Sequence, residues 1–367
     1  MNIDPFKEYI KQSEPNKKDR GYAWHTAIGL QAVDGLKTSK YLIDTAIKNI
    51  EGDISIDEAQ ELLNAYYKEN PQINEEDRTE EADKVAVQIA KILSEKAFSF
   101  TPNEYMSIHK KLFTGIYAHA GEYRDYNITK KEWILNGATV VYGSATELKA
   151  TLEYDFSEEK KFSYRNLSMD EIIHHLAIFI SRLWQIHVFG EGNTRTTAVF
   201  FIKYLRTLGF DVNNDIFAEN AWYFRNALVR ANYNDLKNGI HESTEYLELF
   251  LRNLLLDEKN ELHNRTMHVS GMFKKVDIQS AKVDIEGAKV DIRNSLLSFS
   301  DTISEKTISH TIELFGACGK DDYFGRSIVE EVIGLKSSGA SKFIKILLDS
   351  GVIVPVTGHG KGKYRFK

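Results

Sequence analysis

Six residues in a nine-residue stretch carry groups suited to phosphate chemistry: His187, Gly190, Glu191, Gly192, Asn193 and Arg195. His187, ending an apolar helical pattern, is placed to take a proton from an incoming hydroxyl. Glu191 is an oxygen ligand suited to Mg²⁺, which takes one or two carboxylates plus substrate phosphates. Gly190 and Gly192 let the backbone turn sharply and approach a ligand closely. The N–H groups that open the next helix, around Asn193 and Thr194, lack intrahelical acceptors and with the helix dipole form an anion site. Arg195 adds a charged fork for phosphate, and Asn193 can orient a phosphate oxygen or hold the loop. Each feature taken singly has a commoner structural reading. Together and in this order they describe transfer of a phosphate-containing group. A transition-metal pair of His187 and Glu191 is disfavoured, because no third ligand stands at the required spacing.

The loop needs two core helices to hold it. Upstream, Ser168-Met169-Asp170-Glu171 reads as a capping box opening a run with Ile172, Ile173, Leu176, Phe179, Ile180, Leu183 and Trp184 at helical spacing. Downstream, Thr194 to Leu208 is apolar nearly all round, the mark of a buried helix, and Gly209 follows at the C-cap.

The stretch from His187 to Arg195 resembles the signature of Fic-domain proteins: His, any residue, Phe, any residue, Asp or Glu, Gly, Asn, any residue, Arg. His187, Phe189, Glu191, Gly192, Asn193 and Arg195 match. Many members of that family move AMP from ATP to a protein hydroxyl. The resemblance implies His187 as general base, Glu191 as Mg²⁺ ligand, Gly190, Gly192, Asn193, Thr194 and Arg195 around the phosphates, and Phe189 as a core anchor. The chain departs from the family twice. Ala198 stands where many members have a second arginine that holds the γ-phosphate and receives an inhibitory glutamate, and Thr194 stands where Gly or Lys is usual. Phosphoryl transfer is therefore kept beside AMP transfer. So is a nucleotide-binding transcriptional or toxin–antitoxin-like regulator with weak or lost transferase activity.

The N-terminal segment reads as three short helices: Ala23 to Val33, ended by Asp34-Gly35; Tyr41 to Ile50, capped by Ser39 and ended by Glu51-Gly52; and one opened by Asp53 to Glu58 and running through Tyr67. It resembles the inhibitory-helix region of the family, where a helix ends in Glu-Gly or Glu-Asn and its glutamate enters the nucleotide site. Glu51 keeps the glutamate. Asp34 has only an aspartate, but its distance to the following Gly52-Asp53-Ile54-Ser55 resembles the small antitoxin-like form. Both lack the Ser or Thr usual four residues earlier, where Leu30 and Ile47 stand.

Residues 1–20 read as loosely held and 71–84 as an acidic loop. Helices are expected over Lys84–Leu93, Glu104–Phe113, Ala218–Leu228 and Glu245–Leu256. Between Trp133 and Gly143, Asn136-Gly137 lies among β-formers, which predicts a hairpin. By the resemblance it is the flap that docks an extended target segment along Asn136, Gly137, Ala138, Thr139 and Val140. Likewise Tyr223 and Asn226 would border the adenine pocket. Lys-Val-Asp-Ile recurs at Lys275, Lys282 and Lys289 with a seven-residue period that is not an a/d heptad. Two helices near the C-terminus and a basic, glycine-rich hairpin after Val352 resemble a winged helix. That fold docks proteins or contacts DNA, here through Ser341, Lys342, Lys345, Lys361, Lys363 and Arg365.

The net charge of −6 over 367 residues argues against a dominant nucleic-acid field. The single cysteine, Cys318, excludes an intramolecular disulfide and fits a reducing compartment. No apolar run reaches membrane-spanning length and the first residues lack a signal-peptide core, so a cytoplasmic protein with no membrane partner is expected. The expected fold is mainly α: a Fic-like helical bundle with a β-hairpin flap, plus a small winged-helix-like domain. The expected domains are a regulatory segment 1–84, a catalytic core 85–257, a linker 258–299 and a terminal domain 300–367. ATP, Mg²⁺, a target protein and a second copy of the chain are the partners the resemblance implies.

Overall fold

The computed structural model describes residues 14–70, 78–212, 215–271, 303–318, 323–356 and 363–367, with Phe6, Ile292 and Leu296. It is mainly helical and divides into two units, Met1–Met272 and Phe273–Lys367. In the first unit α1 (Pro15–Gly29) runs into a 3-10 turn (Leu30–Asp34), and α2 (Lys40–Glu51) and α3 (Ile56–Glu69) follow. Pro15 at the first turn starts α1 earlier than expected, since a helix's first N–H groups need no intrahelical partner. Gly35 and Gly52 end their helices in the left-handed conformation at φ 71° and 90°. Ser39 caps α2, and Ser55 with Glu58 forms a capping box on α3. Then come α4 (Thr79–Ser94), α5 (Pro102–Phe113), α6 (Leu148–Lys161), α7 (Met169–Ile186) and α8 (Asn193–Thr207). The unit ends with α9 (Ile216–Glu219), α10 (Ala221–Ala231) and α11 (Glu245–Leu256).

Ser168 and Glu171 close the expected capping box, with Glu171 N donating to Ser168 Oγ at 3.3 Å and Ser168 N to Glu171 Oε2 at 2.8 Å. Every residue of α8 from Asn193 to Leu205 is buried, as an all-round apolar helix must be. One apolar core joins the N-terminal helices to those that flank the loop, so residues 1–84 do not stand apart as a unit. Residues 258–271, expected as linker, belong to the first unit as well. Two 3-10 turns (Asn264–Met267 and Val269–Gly271) bring Met267 into the same core. Residues 79–84, expected in a loop, form the first turn and a half of α4, and the helix expected over Ala218–Leu228 breaks at Asn220.

The expected flap hairpin is not formed. Residues 133–135 make a 3-10 turn instead, and Asn136 and Gly137 take φ 52° and 85°. Ile134 and Leu135 are buried in the core, which pulls the first half of the would-be hairpin inward and leaves no strand opposite residues 138–143. Glu132 N donates to Ala138 O and Gly137 N to Glu132 O, closing a compact loop. Gln185 Nε2 donates to Val141 O, which ties the following segment to the end of α7.

The second unit has α12 (Glu305–Cys318), β1 (Tyr323–Phe324), α13 (Arg326–Ile333), α14 (Ser337–Asp349), β2 (Ile353–Pro355) and β3 (Tyr364–Phe366). Its antiparallel sheet has the order β1-β3-β2. A three-residue turn joins α13 and α14, and Lys342, Lys345 and Arg365 are exposed. Lys361 and nearly all of the seven-residue repeat lie outside the described residues. No described helix is long and apolar enough to cross a membrane.

Candidate active site

His187 caps α7 in the left-handed conformation, φ 52° and ψ 57°, where few non-glycine residues sit. Such a residue costs about 1–3 kcal/mol unless its surroundings hold it. Arg124 does the holding. Its Nε donates to His187 O at 2.6 Å, its Nη2 to Gly143 O and Ile186 O, and its backbone N–H to Val188 O. The imidazole that results is 3% exposed, and neither ring nitrogen has a hydrogen-bond partner in the protein. The Tyr142 ring lies 4.2 Å from it and the Trp184 ring 5.5 Å, centroid to centroid. Burial pushes His187 well below its ordinary pKa, and the charge of Lys130 pushes it further. The side chain is thus a neutral base with an unused lone pair.

The loop that follows is braced from within. Asn193 Nδ2 donates to Phe189 O and its Oδ1 accepts from Phe189 N, so its side chain holds the loop rather than facing a ligand. Thr194 Oγ1 accepts from Trp184 Nε1 at 3.0 Å. Neither side chain is free for a ligand, and the backbone N–H groups of this first turn have no intrahelical acceptor. Gly192 precedes α8 at φ 73°, and a Cβ there would lie 2.4 Å from the Phe113 ring, so only glycine fits. His109 braces the loop from outside: its Nδ1 accepts from Gly121 N, which leaves Nε2–H to donate to Glu191 O at 3.0 Å. Its ring stacks on Phe189 at 3.6 Å.

His109 is buried, and burial lowers its pKa to about 3. The unfolded chain therefore binds a proton near pH 6.5 that the folded one refuses, and stability falls as pH drops from about 6.5 towards 3. His109→Ala is expected to cost about 2–4 kcal/mol through the cavity and two stranded backbone groups. It should also flatten that part of the stability profile, as urea unfolding between pH 4 and 7 would show.

Arg195 is fully buried in the first turn of α8 and enclosed by protein. Its Nε lies 2.8 Å from Asp34 Oδ2, an ion pair rather than an aligned hydrogen bond. Its Nη1 donates to Gln31 Oε1 at 3.1 Å and its Nη2 to Glu81 Oε1 at 2.7 Å, and the guanidinium lies 4.8 Å from the Phe113 ring centre. Of the two inhibitory candidates, then, the fold brings Asp34 to the loop. Glu51 lies elsewhere and pairs with Lys17 at 2.9 Å. Ala198 is buried within α8 and brings no charge.

The Glu191 carboxylate is half exposed, and Lys130 Nζ is 3.5 Å from its Oε2. An accessible carboxylate just ahead of a helix N-terminus fits Mg²⁺, which keeps water and phosphate oxygens in its shell. Among the described residues no group of three His, Cys, Asp or Glu gathers to hold a metal by itself.

Beside His187 a cavity of about 20 Å³, room for roughly one water, is walled by Asp34, Lys130, Glu132, Tyr142, Gly192 and Arg225. Lys130, Glu132, Tyr142, Arg225 and Glu81 were not singled out by motif or spacing. Glu132 is buried and pairs with Arg225 at 2.8 Å. The expected base-pocket residues are not at this cavity. Tyr223 is core, with its hydroxyl donating to Tyr246 O, and Asn226 Nδ2 donates to Asn264 Oδ1. Their helix presents Arg225 instead. At the loop expected to dock a target, Val140 is buried, Thr139 Oγ1 accepts from Lys130 N, and Val141 is 80% exposed.

A family model described as Fic/DOC family matches residues 99–205. No curated protein matches the chain. Among solved structures, the N-terminal FIC domain of Bep8 protein, a VirB-translocated effector from Bartonella sp. 1-1C, aligns at 17% identity over 50% of this chain and 88% of its own, with a TM-score of 0.39. A Fic family protein from Desulfovibrio desulfuricans G20 aligns at 11% identity over 98% of this chain and 90% of its own, with a TM-score of 0.44. The identification rests on the family model together with the loop from His187 to Arg195, which lies inside the matched residues: this chain carries a Fic/DOC family domain.

Proposed function

We propose that this chain is a protein adenylyltransferase whose site is held shut by Asp34. Fic-domain proteins commonly transfer AMP to proteins. The observation that carries the reading is His187: buried, neutral and unpaired at both ring nitrogens, in one cavity with Gly192, Asn193 and Thr194 at the N-terminal turn of α8. His187 takes the proton of a Ser, Thr or Tyr hydroxyl as that oxygen attacks the α-phosphorus of ATP. The bond from the α-phosphorus to the bridging oxygen breaks, and pyrophosphate leaves with the electron pair. Glu191 would hold Mg²⁺, which neutralises phosphate charge when bound. The N–H groups around Asn193 and Thr194 orient the phosphates, and Arg195 joins them once Asp34 withdraws. Nucleotide-sized pockets run to about 300–1,000 Å³, so the small cavity beside His187 must open first, and Asp34 is one of its walls.

A second reading, phosphoryl transfer, is favoured by Ala198, which leaves the γ-phosphate without the usual second guanidinium. One experiment separates the two. The protein is incubated with Mg²⁺ and ATP labelled at the α- or the γ-phosphate, and self-modification and labelled extract proteins are scored. Label from the α position alone is the expected result. Label from the γ position alone replaces AMP transfer by phosphoryl transfer, and neither label in any variant overturns both.

A further inference from the structure

Arg195 is touched by two carboxylates, and the structure gives them different roles. Asp34 comes from a 3-10 turn and has 26% of its side chain exposed. Glu81, in the first turn of α4, is buried and has a cation of its own. Arg78 Nε donates to Glu81 Oε2 at 2.9 Å and Arg78 Nη2 to Glu81 Oε1 at 2.8 Å, a two-pronged pair. Tyr117 completes the cluster, donating its hydroxyl to Glu81 Oε1 at 2.6 Å while Arg78 and Arg195 approach its oxygen at 3.1 and 3.3 Å. Burial alone would raise Glu81, yet these donors hold its carboxyl below the usual range, so it is ionised.

We propose that Arg78 and Glu81 form a positioning pair that fixes the Arg195 guanidinium while leaving its positive charge available to phosphate. This rests on the reading of Arg195 as a phosphate ligand. Glu81 grips Nη2 by geometry, but Arg78 already balances its charge. Asp34 is therefore the counter-charge of Arg195. When Asp34 withdraws, the charge on Arg78, Glu81 and Arg195 is no longer balanced, and a net single positive charge remains beside the helix N-terminus. Without Arg78 the same withdrawal leaves Arg195 neutralised by Glu81, although Arg78 never meets the nucleotide.

The test is a charge cycle in an Asp34→Ala background, read by the Kd of Mg²⁺–ATP from calorimetry at low salt and by the label assay. Arg78→Ala is expected to raise Kd about tenfold, equivalent to ~1.4 kcal/mol. Adding Glu81→Gln, which keeps an acceptor for Nη2 but removes the stranded charge, is expected to restore Kd to within about threefold of the parent. A merely structural role for Arg78 predicts no such rescue. Kd unchanged by Arg78→Ala, or not restored by Glu81→Gln, overturns the pair. A parent that binds ATP without transferring label overturns the adenylyltransferase reading alone, and the cycle still scores the pair. A parent that does not bind ATP overturns both.

Discussion

Asp34→Ala is expected to raise α-phosphate label transfer by about 10- to 100-fold, the size of a typical coupling between two sites. The aspartate faces the Nε edge of a guanidinium with no exposed surface. Phosphate reaches that edge only by displacing the carboxylate, and so competes with a charge already in place. Alanine removes the competitor and a wall of the cavity beside His187 together. The change also strands part of a buried cation, which is destabilising when one partner of a pair is removed. The released variant should therefore melt at a lower temperature than its parent, with Mg²⁺–ATP recovering part of the loss by binding the folded state. Glu51→Ala is the matched control. Its carboxylate is 37% exposed and pairs with Lys17 on the surface, so label transfer should stay at the parental level and stability within about 1 kcal/mol. Equal label from the Asp34 variant and its parent would remove Asp34 as the restraint. A rise with Glu51→Ala instead would transfer that role to α2.

His187→Ala, made in the released background, is expected to lower α-label transfer by about 10²- to 10⁴-fold, the usual contribution of a general base. Mg²⁺–ATP affinity should change little, because the ring makes no hydrogen bond and the phosphates are assigned to the loop backbone, Glu191 and Arg195. The pH profile carries a further signature. Burial and the charge of Lys130 depress His187, so protonation, which removes its lone pair, sets in only well below pH 6.5. Transfer should therefore hold its plateau as pH falls through 6.5 and decline only at lower pH. A decline centred at or above pH 6.5 would mean that the imidazole is solvated, or paired with an anion, in the working enzyme. An unchanged rate in the alanine variant would remove His187 from the chemistry.

Features read correctly from the chain were those that depend on neighbours a few residues apart. The Ser168–Glu171 box, the Ser39 cap and the helix ends at Gly35 and Gly52 are each set within about one helical turn. The burial of α8 followed from its all-round apolar pattern, and the loop was legible because its functional groups lie in one continuous run. Turn chemistry was read correctly at Asn136-Gly137 too, but what the turn joins depends on where Ile134 and Leu135 go, and the core takes them.

Pairing of charges over long separations could not be read in the same way. Asp34 and Glu51 both precede a glycine that ends a helical element, so local rules treat them alike. The choice is made by packing, which sets the 3-10 turn ending at Asp34 against α8 and α10 and leaves Glu51 beside Lys17. Glu81 stood in an acidic stretch that reads as a solvated loop, but it is buried on Arg195, 114 residues away. Tyr223 and Arg225 are neighbours on one helix, and its rotation against α7 and α11 decides that the tyrosine enters the core and the arginine the cavity. The sequence by itself determined the loop and its flanking helices, because their signals are local. The tertiary structure decided which carboxylates meet Arg195, because only chain closure brings the 3-10 turn, α4 and α8 to one point in a medium that rewards opposite charges.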